Sequence, residues 1–164
     1  MHATSIAQEP LVNGLRAVIP ALTLPGKSRM SDTEEFRVPV QSDTDVVAAR
    51  QQGRALAVRL GFSSSEATIV ATAISELARN IVLYAMRGEI VLAIEKHNSN
   101  GPILVITARD EGKGIADLRL ALQDGYSTSG RLGVGLPGVK RLMDEFEISS
   151  KVSEGTRITV AKWR

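Results

Sequence analysis

The chain contains no cysteine. That excludes disulfides and thiolate-bound metal centres, and it suits a cytoplasmic protein. Aromatic residues make up only 4% of the 164 positions, too few for the stacking platforms that hold single-stranded nucleic acid. Neither sign of charge dominates. Twenty Lys and Arg against eighteen Asp and Glu leave +2, which gives no basic footprint for nucleic acid. Long apolar runs are also missing. Leu11–Leu24 comes nearest, but Asn13, Gly14, Arg16 and Pro20 break it, and it is too short to span a bilayer. It also lacks the charged start and small-residue cleavage site of a signal peptide. What remains is the length and polarity of one globular domain with a core of its own.

Residues 1–33 read as a poorly ordered extension, with Pro10, Pro20 and Pro25 and no sustained period; Met30 is an alternative start. Within it, Ala21–Ser28 loosely matches a phosphate loop ending in Gly26-Lys27-Ser28. A working loop needs a strand before it and a long helix after it, and Pro20 and Pro39 forbid both. A chain beginning at Met30 is therefore expected to fold and bind nucleotide as the full chain does. Lys27→Ala should leave nucleotide affinity unchanged in a calorimetric titration.

From residue 34 onward the pattern is regular. Phe36–Val40 alternates like an edge strand. Asp43 or Thr44 opens a helix with the stripe Val46, Ala49, Gly53, Leu56 and Leu60. Ser63-Ser64-Ser65-Glu66 is a capping box for a longer helix reaching about Tyr84. Gly88–Lys96 and Ile103–Asp110 read as strands, with a short helical piece near Asp117–Leu122 after them. Leu136–Phe146 reads as a helix, followed by a hairpin of Glu147–Lys151 and Thr156–Trp163. The order predicts an α/β (α+β) two-layer sandwich, a mixed sheet with helices on one face.

Three motifs carry chemistry. On the second long helix, Glu76 and Asn80 are four apart, about 40° from each other around the axis and off the core stripe. Such a pair is either ordinary solvated surface or a general base beside a magnesium ligand. Asp110 ends a buried strand and opens Asp110-Glu111-Gly112-Lys113-Gly114. It reads either as an acidic turn or as a carboxylate that accepts adenine's amino hydrogen and repels the O6 of guanine. Gly112 and Gly114 clear space for close backbone approach. Gly133, Gly135 and Gly138 also spell the dinucleotide fingerprint, but Ser127–Leu132 is a poor strand to precede it. The better reading is a hinge whose following helix points its N-terminus at phosphate, behind a flexible Gly125–Gly130 lid.

Taken together, these motifs resemble the GHKL superfamily of gyrase-, chaperone-, histidine-kinase- and MutL-type ATP-binding domains. Ile74–Ile81, Gly125–Gly130 and Gly135–Phe146 are most similar to the switch kinases of the bacterial Rsb partner-switching system. The resemblance covers residues 34–164 and implies a Bergerat-type ATP-binding fold using ATP and Mg2+. It implies Glu76 as the catalytic carboxylate, Asn80 on Mg2+ and Asp110 on adenine, with Thr156 beside that Asp. Gly112, Gly114, Ser127, Thr128, Ser129, Gly133, Gly135 and Leu136 would surround the nucleotide. The activity implied is that of a serine/threonine protein kinase acting on a STAS-domain antagonist in a stressosome-like complex. Once released, such a kinase activates a PP2C-type phosphatase in the stress response; no nucleic acid and no membrane are involved. The alternatives are an RsbW-like anti-sigma factor kinase and a non-catalytic, nucleotide-gated binding module. A detached histidine-kinase domain fits less well, because the chain has only His2 and His97.

Overall fold

The structure is a computed structural model, and it describes residues 34–97, 101–123 and 133–164. Among these residues nine elements follow one another: β1 (Glu35–Val40), α1 (Asp43–Arg59), α2 (Ser64–Tyr84), β2 (Gly88–His97), β3 (Gly101–Asp110), α3 (Leu118–Ala121), α4 (Gly135–Leu142), β4 (Glu145–Lys151) and β5 (Gly155–Trp163). The five strands form one sheet in the order β1-β2-β3-β5-β4.

Every strand pair is antiparallel, so the expected mixed sheet is corrected to an antiparallel one among the described residues. Connectivity explains the difference. Between β1 and β2 lie two helices joined by a short link, and the chain re-enters the sheet antiparallel to β1. From β3 the chain crosses over to β4, which does run in the direction of β3. However, β5 inserts between them and removes the parallel contact.

Period-two alternation puts one face of each strand against the helices. Val38, Ile90, Ala108, Ile158 and Ile148 stand in register across all five strands. They join residues of α1, α2 and α4 in one hydrophobic cluster. The helices therefore cover a single face, as the sandwich requires. Among the described residues, α2 is the one helix long and apolar enough to cross a membrane by length and composition. Eight of its residues, including Ile74, Leu77 and Ile81, are buried in this core, which accounts for its hydropathy.

Both long helices begin with a complete capping box. Ser63 and Glu66 form the expected one for α2. For α1 the cap is Ser42 with Asp45, not Asp43 or Thr44, because Asp45 reaches back to the Ser42 and Gln41 amides at 2.9 and 3.0 Å. Hydrogen bonds to the ionised form hold both carboxyls below their ordinary range. The Gln41 amide is the largest influence on Asp45, and the Ser63 hydroxyl on Glu66. The stabilisation is thus complete above the unfolded carboxylate range, near pH 4, and is lost as pH falls through the lowered folded values. Glu66→Gln is expected to flatten the acid limb of the stability-versus-pH curve, measured by chemical denaturation at stepped pH.

α4 ends earlier than expected, at Leu142 rather than Phe146. Asp144 and Phe146 are claimed by the sheet. The Asp144 amide donates to the Ala161 carbonyl, its carboxylate accepts from the Trp163 amide at 2.8 Å, and Phe146 pairs with Val160.

Candidate active site

The expected site residues gather at two places along α2. The first is the middle of the helix. Glu76 lies off the core stripe and its side chain is only 13% exposed. Its Oε1 accepts from Arg79 at 3.1 Å, and its Oε2 accepts from the Gly135 amide at 3.3 Å. Gly135 is the first residue of α4, so the carboxylate sits on the positive end of that helix. A methyl group at Gly133 would stand 2.8 Å from Oε2, which explains the missing side chain there. Buried Leu136 fixes the start of α4 against the core. Asn80 follows Glu76 by about one turn and is half-buried. Ser127, Thr128 and Ser129 lie outside the described residues.

The second place is the end of the sheet. Asp110 is the last residue of β3, on its helix-facing side. Its Oδ1 accepts from the Gly112 amide at 2.8 Å, a turn built on the aspartate's own side chain. Among the described residues Oδ2 has no hydrogen-bond partner, which leaves it for a ligand. The Gly112 turn lies against the C-terminal end of α2, where a methyl would come within 2.6 Å of the Ala85 Cβ. The loop is docked from the other side as well. The Ser153 amide donates to the Lys113 carbonyl at 2.9 Å, and a methyl at Gly114 (φ +70°) would meet the Lys151 carbonyl at 2.2 Å.

Thr156 stands directly opposite Asp110 in the β3–β5 register. Next to it, Gly155 has φ +97°, and a methyl there would lie 2.0 Å from the Asp110 carbonyl oxygen. Gly155→Ala is therefore expected to destabilise the fold by more than about 2 kcal/mol, measured by urea denaturation. Nucleotide affinity should fall with it, since Asp110 must move.

An open cleft of about 700 Å³ runs over this end and is lined by Gly88, Asp110, Ser150 and Thr156 among others. A second cleft of about 500 Å³ opens between α1 and α2, lined by Arg50, Arg54, Ser75, Glu76 and Arg79. From Glu76 to Ala85 the helix rises about 13 Å. α2 therefore carries the Glu76 carboxylate near its middle and has the Asp110 turn packed against its C-terminal end.

Several residues beside these two places carry no signal in the sequence. Arg79 was visible beside Asn80, but nothing in the spacing linked it to Glu76 rather than to solvent. Gly88 faces Asp110 across β2–β3, where a methyl would lie 2.5 Å from the Arg109 carbonyl. Ser150 is an ordinary strand residue by its sequence pattern, yet it hydrogen-bonds to Thr156 at 2.8 Å.

A strand-end carboxylate, a glycine turn packed on a long helix and a glycine-led second helix over an acid define a class of nucleotide-binding ATPase domain. The family model for the histidine kinase-like ATPase domain matches residues 40–162. The chain is 53% identical over 127 residues to the serine/threonine-protein kinase RsbT of Bacillus subtilis, covering 77% of this chain and 94% of that protein. It is 30% identical over 118 residues to the anti-sigma F factor of Thermoanaerobacter sp., covering 70% and 82% respectively. A solved structure of the RsbU and RsbW domains of a Mycobacterium tuberculosis protein shares the fold, with a TM-score of 0.55 at 19% identity. That likeness spans 82% of this chain and 33% of the longer one. The chain belongs to the histidine kinase-like ATPase family, in the branch of partner-switching serine/threonine kinases.

Proposed function

We propose that this protein is an ATP-dependent serine/threonine kinase that phosphorylates a STAS-domain antagonist and, when released, activates a PP2C-type phosphatase. The observation that carries the proposal is the Glu76 carboxylate resting on the first amide of α4, 3.3 Å away. That contact joins a candidate base to the helix terminus where phosphate oxygens bind best.

On this reading Asp110 Oδ2 accepts the adenine amino hydrogen and the nucleotide lies along α2. A terminal phosphate oxygen takes the Gly135 amide, which frees Glu76 Oε2. A hydroxyl of the partner protein then attacks the γ-phosphorus. Its new O–P bond forms as the bond to the β–γ bridging oxygen breaks, ADP leaves, and Glu76 receives the hydroxyl proton. Arg79, held on Oε1, keeps the carboxylate oriented. The cleft between α1 and α2 also opens onto Glu76, which gives a protein segment a path to the carboxylate.

Among the described residues, no group of three or more His, Cys, Asp or Glu could hold a metal by itself. Mg2+ does not need one, because it usually keeps its waters and the substrate phosphates and takes one or two protein oxygens. The Asn80 amide oxygen, one turn from Glu76, fits that requirement. When bound, Mg2+ would offset charge on the phosphate oxygens.

The 30% identity to an anti-sigma factor supports a second reading, an anti-sigma kinase that binds a sigma factor directly. The purified chain should be incubated with labelled ATP and a STAS-domain protein, and separately with a PP2C-type phosphatase or a sigma factor. The proposal expects label on a STAS serine or threonine and a stable complex with the phosphatase. Capture of the sigma factor in place of the phosphatase would favour the second reading. No label on any partner would leave a nucleotide-gated binding module.

A further inference from the structure

Ser150 lies on β4, one strand beyond Thr156 and in register with it. Its hydroxyl touches three groups. The Ile115 amide donates to it at 2.8 Å, the Gly155 carbonyl accepts from it at 3.0 Å, and Thr156 Oγ1 lies 2.8 Å away. A serine hydroxyl has one proton and two lone pairs. Its proton goes to the Gly155 carbonyl, which can only accept. One lone pair receives the Ile115 amide, which can only donate. The last lone pair faces Thr156, so Thr156 must be the donor in that contact. Turning the Ser150 proton toward Thr156 would take this bond from the carbonyl of buried Gly155, an unfavourable exchange.

The Thr156 proton is then committed to Ser150. Its oxygen stands beside Asp110 as an acceptor only, in the same cleft. We propose that Ser150 is a specificity-determining positioning residue: by holding the Thr156 proton in their hydrogen bond, it makes Thr156 and Asp110 Oδ2 a two-acceptor face. Such a face takes a 6-aminopurine, which donates at that position, and rejects a 6-oxopurine, which accepts there. The inference rests on the proposed placing of adenine at Asp110. It adds that the discrimination is set partly by a residue that need not touch the base.

The test is calorimetric titration of the full chain with Mg-ATP and Mg-ITP, which differ in the 6-amino and 6-oxo groups. Ser150→Ala frees the Thr156 proton to donate into the cleft and should lower the ATP-to-ITP affinity ratio roughly threefold to tenfold. Ser150→Thr keeps the hydroxyl and should restore the ratio. Equal weakening of both nucleotides in Ser150→Ala would mean that Ser150 only supports the loop, and the proposal falls. Should Ser150→Ala fail to fold, Thr156→Val decides: the ratio should drop there too, and an unchanged ratio overturns the proposal. Asp110→Asn is run alongside. If that variant keeps wild-type ATP affinity, the adenine reading itself fails and takes this inference with it. If it loses ATP while the Ser150 ratio stays fixed, only this inference is lost.

Discussion

Asp110→Asn is expected to lose tight ATP binding in a chain that stays folded. The structure gives the reason in two parts. Oδ1 is held by the Gly112 amide at 2.8 Å, so a neutral amide can rotate its oxygen to keep that turn. The other position then carries an NH2 group, which faces adenine's own amino group and repels it. Loss of one charge-assisted bond costs about 1.5–3 kcal/mol, and the donor clash adds to it. Titration calorimetry should show at least about tenfold weaker ATP, with a circular dichroism spectrum like the wild type's. Wild-type affinity in the folded variant would remove Asp110 from the base site.

The second large effect separates chemistry from binding on one helix. Glu76→Gln is close to isosteric and can give up the Gly135 amide to phosphate as Glu76 does, so ATP and the protein substrate should still bind. It has no basic oxygen for the hydroxyl proton. Phosphoryl transfer should fall by about 10²–10⁴ in kcat with little change in KM for ATP. Asn80→Ala and Asn80→Asp should do the opposite, disturbing Mg2+-dependent nucleotide binding itself. Transfer at the wild-type rate by Glu76→Gln would show that Glu76 is not the base. Helix-terminus and magnesium electrostatics would then have to carry the reaction alone.

Local signals in the sequence proved the most legible. Ser63 and Glu66 announce the start of α2 three residues apart, and the residues they cap form one turn, so nothing distant can override them. The nearness of Asp110 and Thr156 came from the family resemblance, because strand patterns give a face but not a neighbouring strand. Features that depend on distant partners were harder to read. The antiparallel sheet follows from β5 entering between β3 and β4, a choice made across the whole chain. Helical periodicity carried α4 past Leu142 because nothing local shows that Asp144 and Phe146 pair with β5. The same limit hid Ser150, whose donor Ile115 is thirty-five residues away. Glu76 and Asn80 stood out only beside the glycine motifs. What their spacing could not give was the bond from Gly135, fifty-nine residues on, that joins the helix to the second motif.

In the proposed function one nucleotide lies along α2, with its base at Asp110 and its terminal phosphate at Gly135. A crystal structure of the chain with Mg2+ and a non-hydrolysable ATP analogue tests this directly. Adenine N6 should lie about 2.9 Å from Asp110 Oδ2, and a terminal phosphate oxygen should replace Glu76 on the Gly135 amide. A base bound away from Asp110, with Glu76 still holding Gly135, would contradict the account.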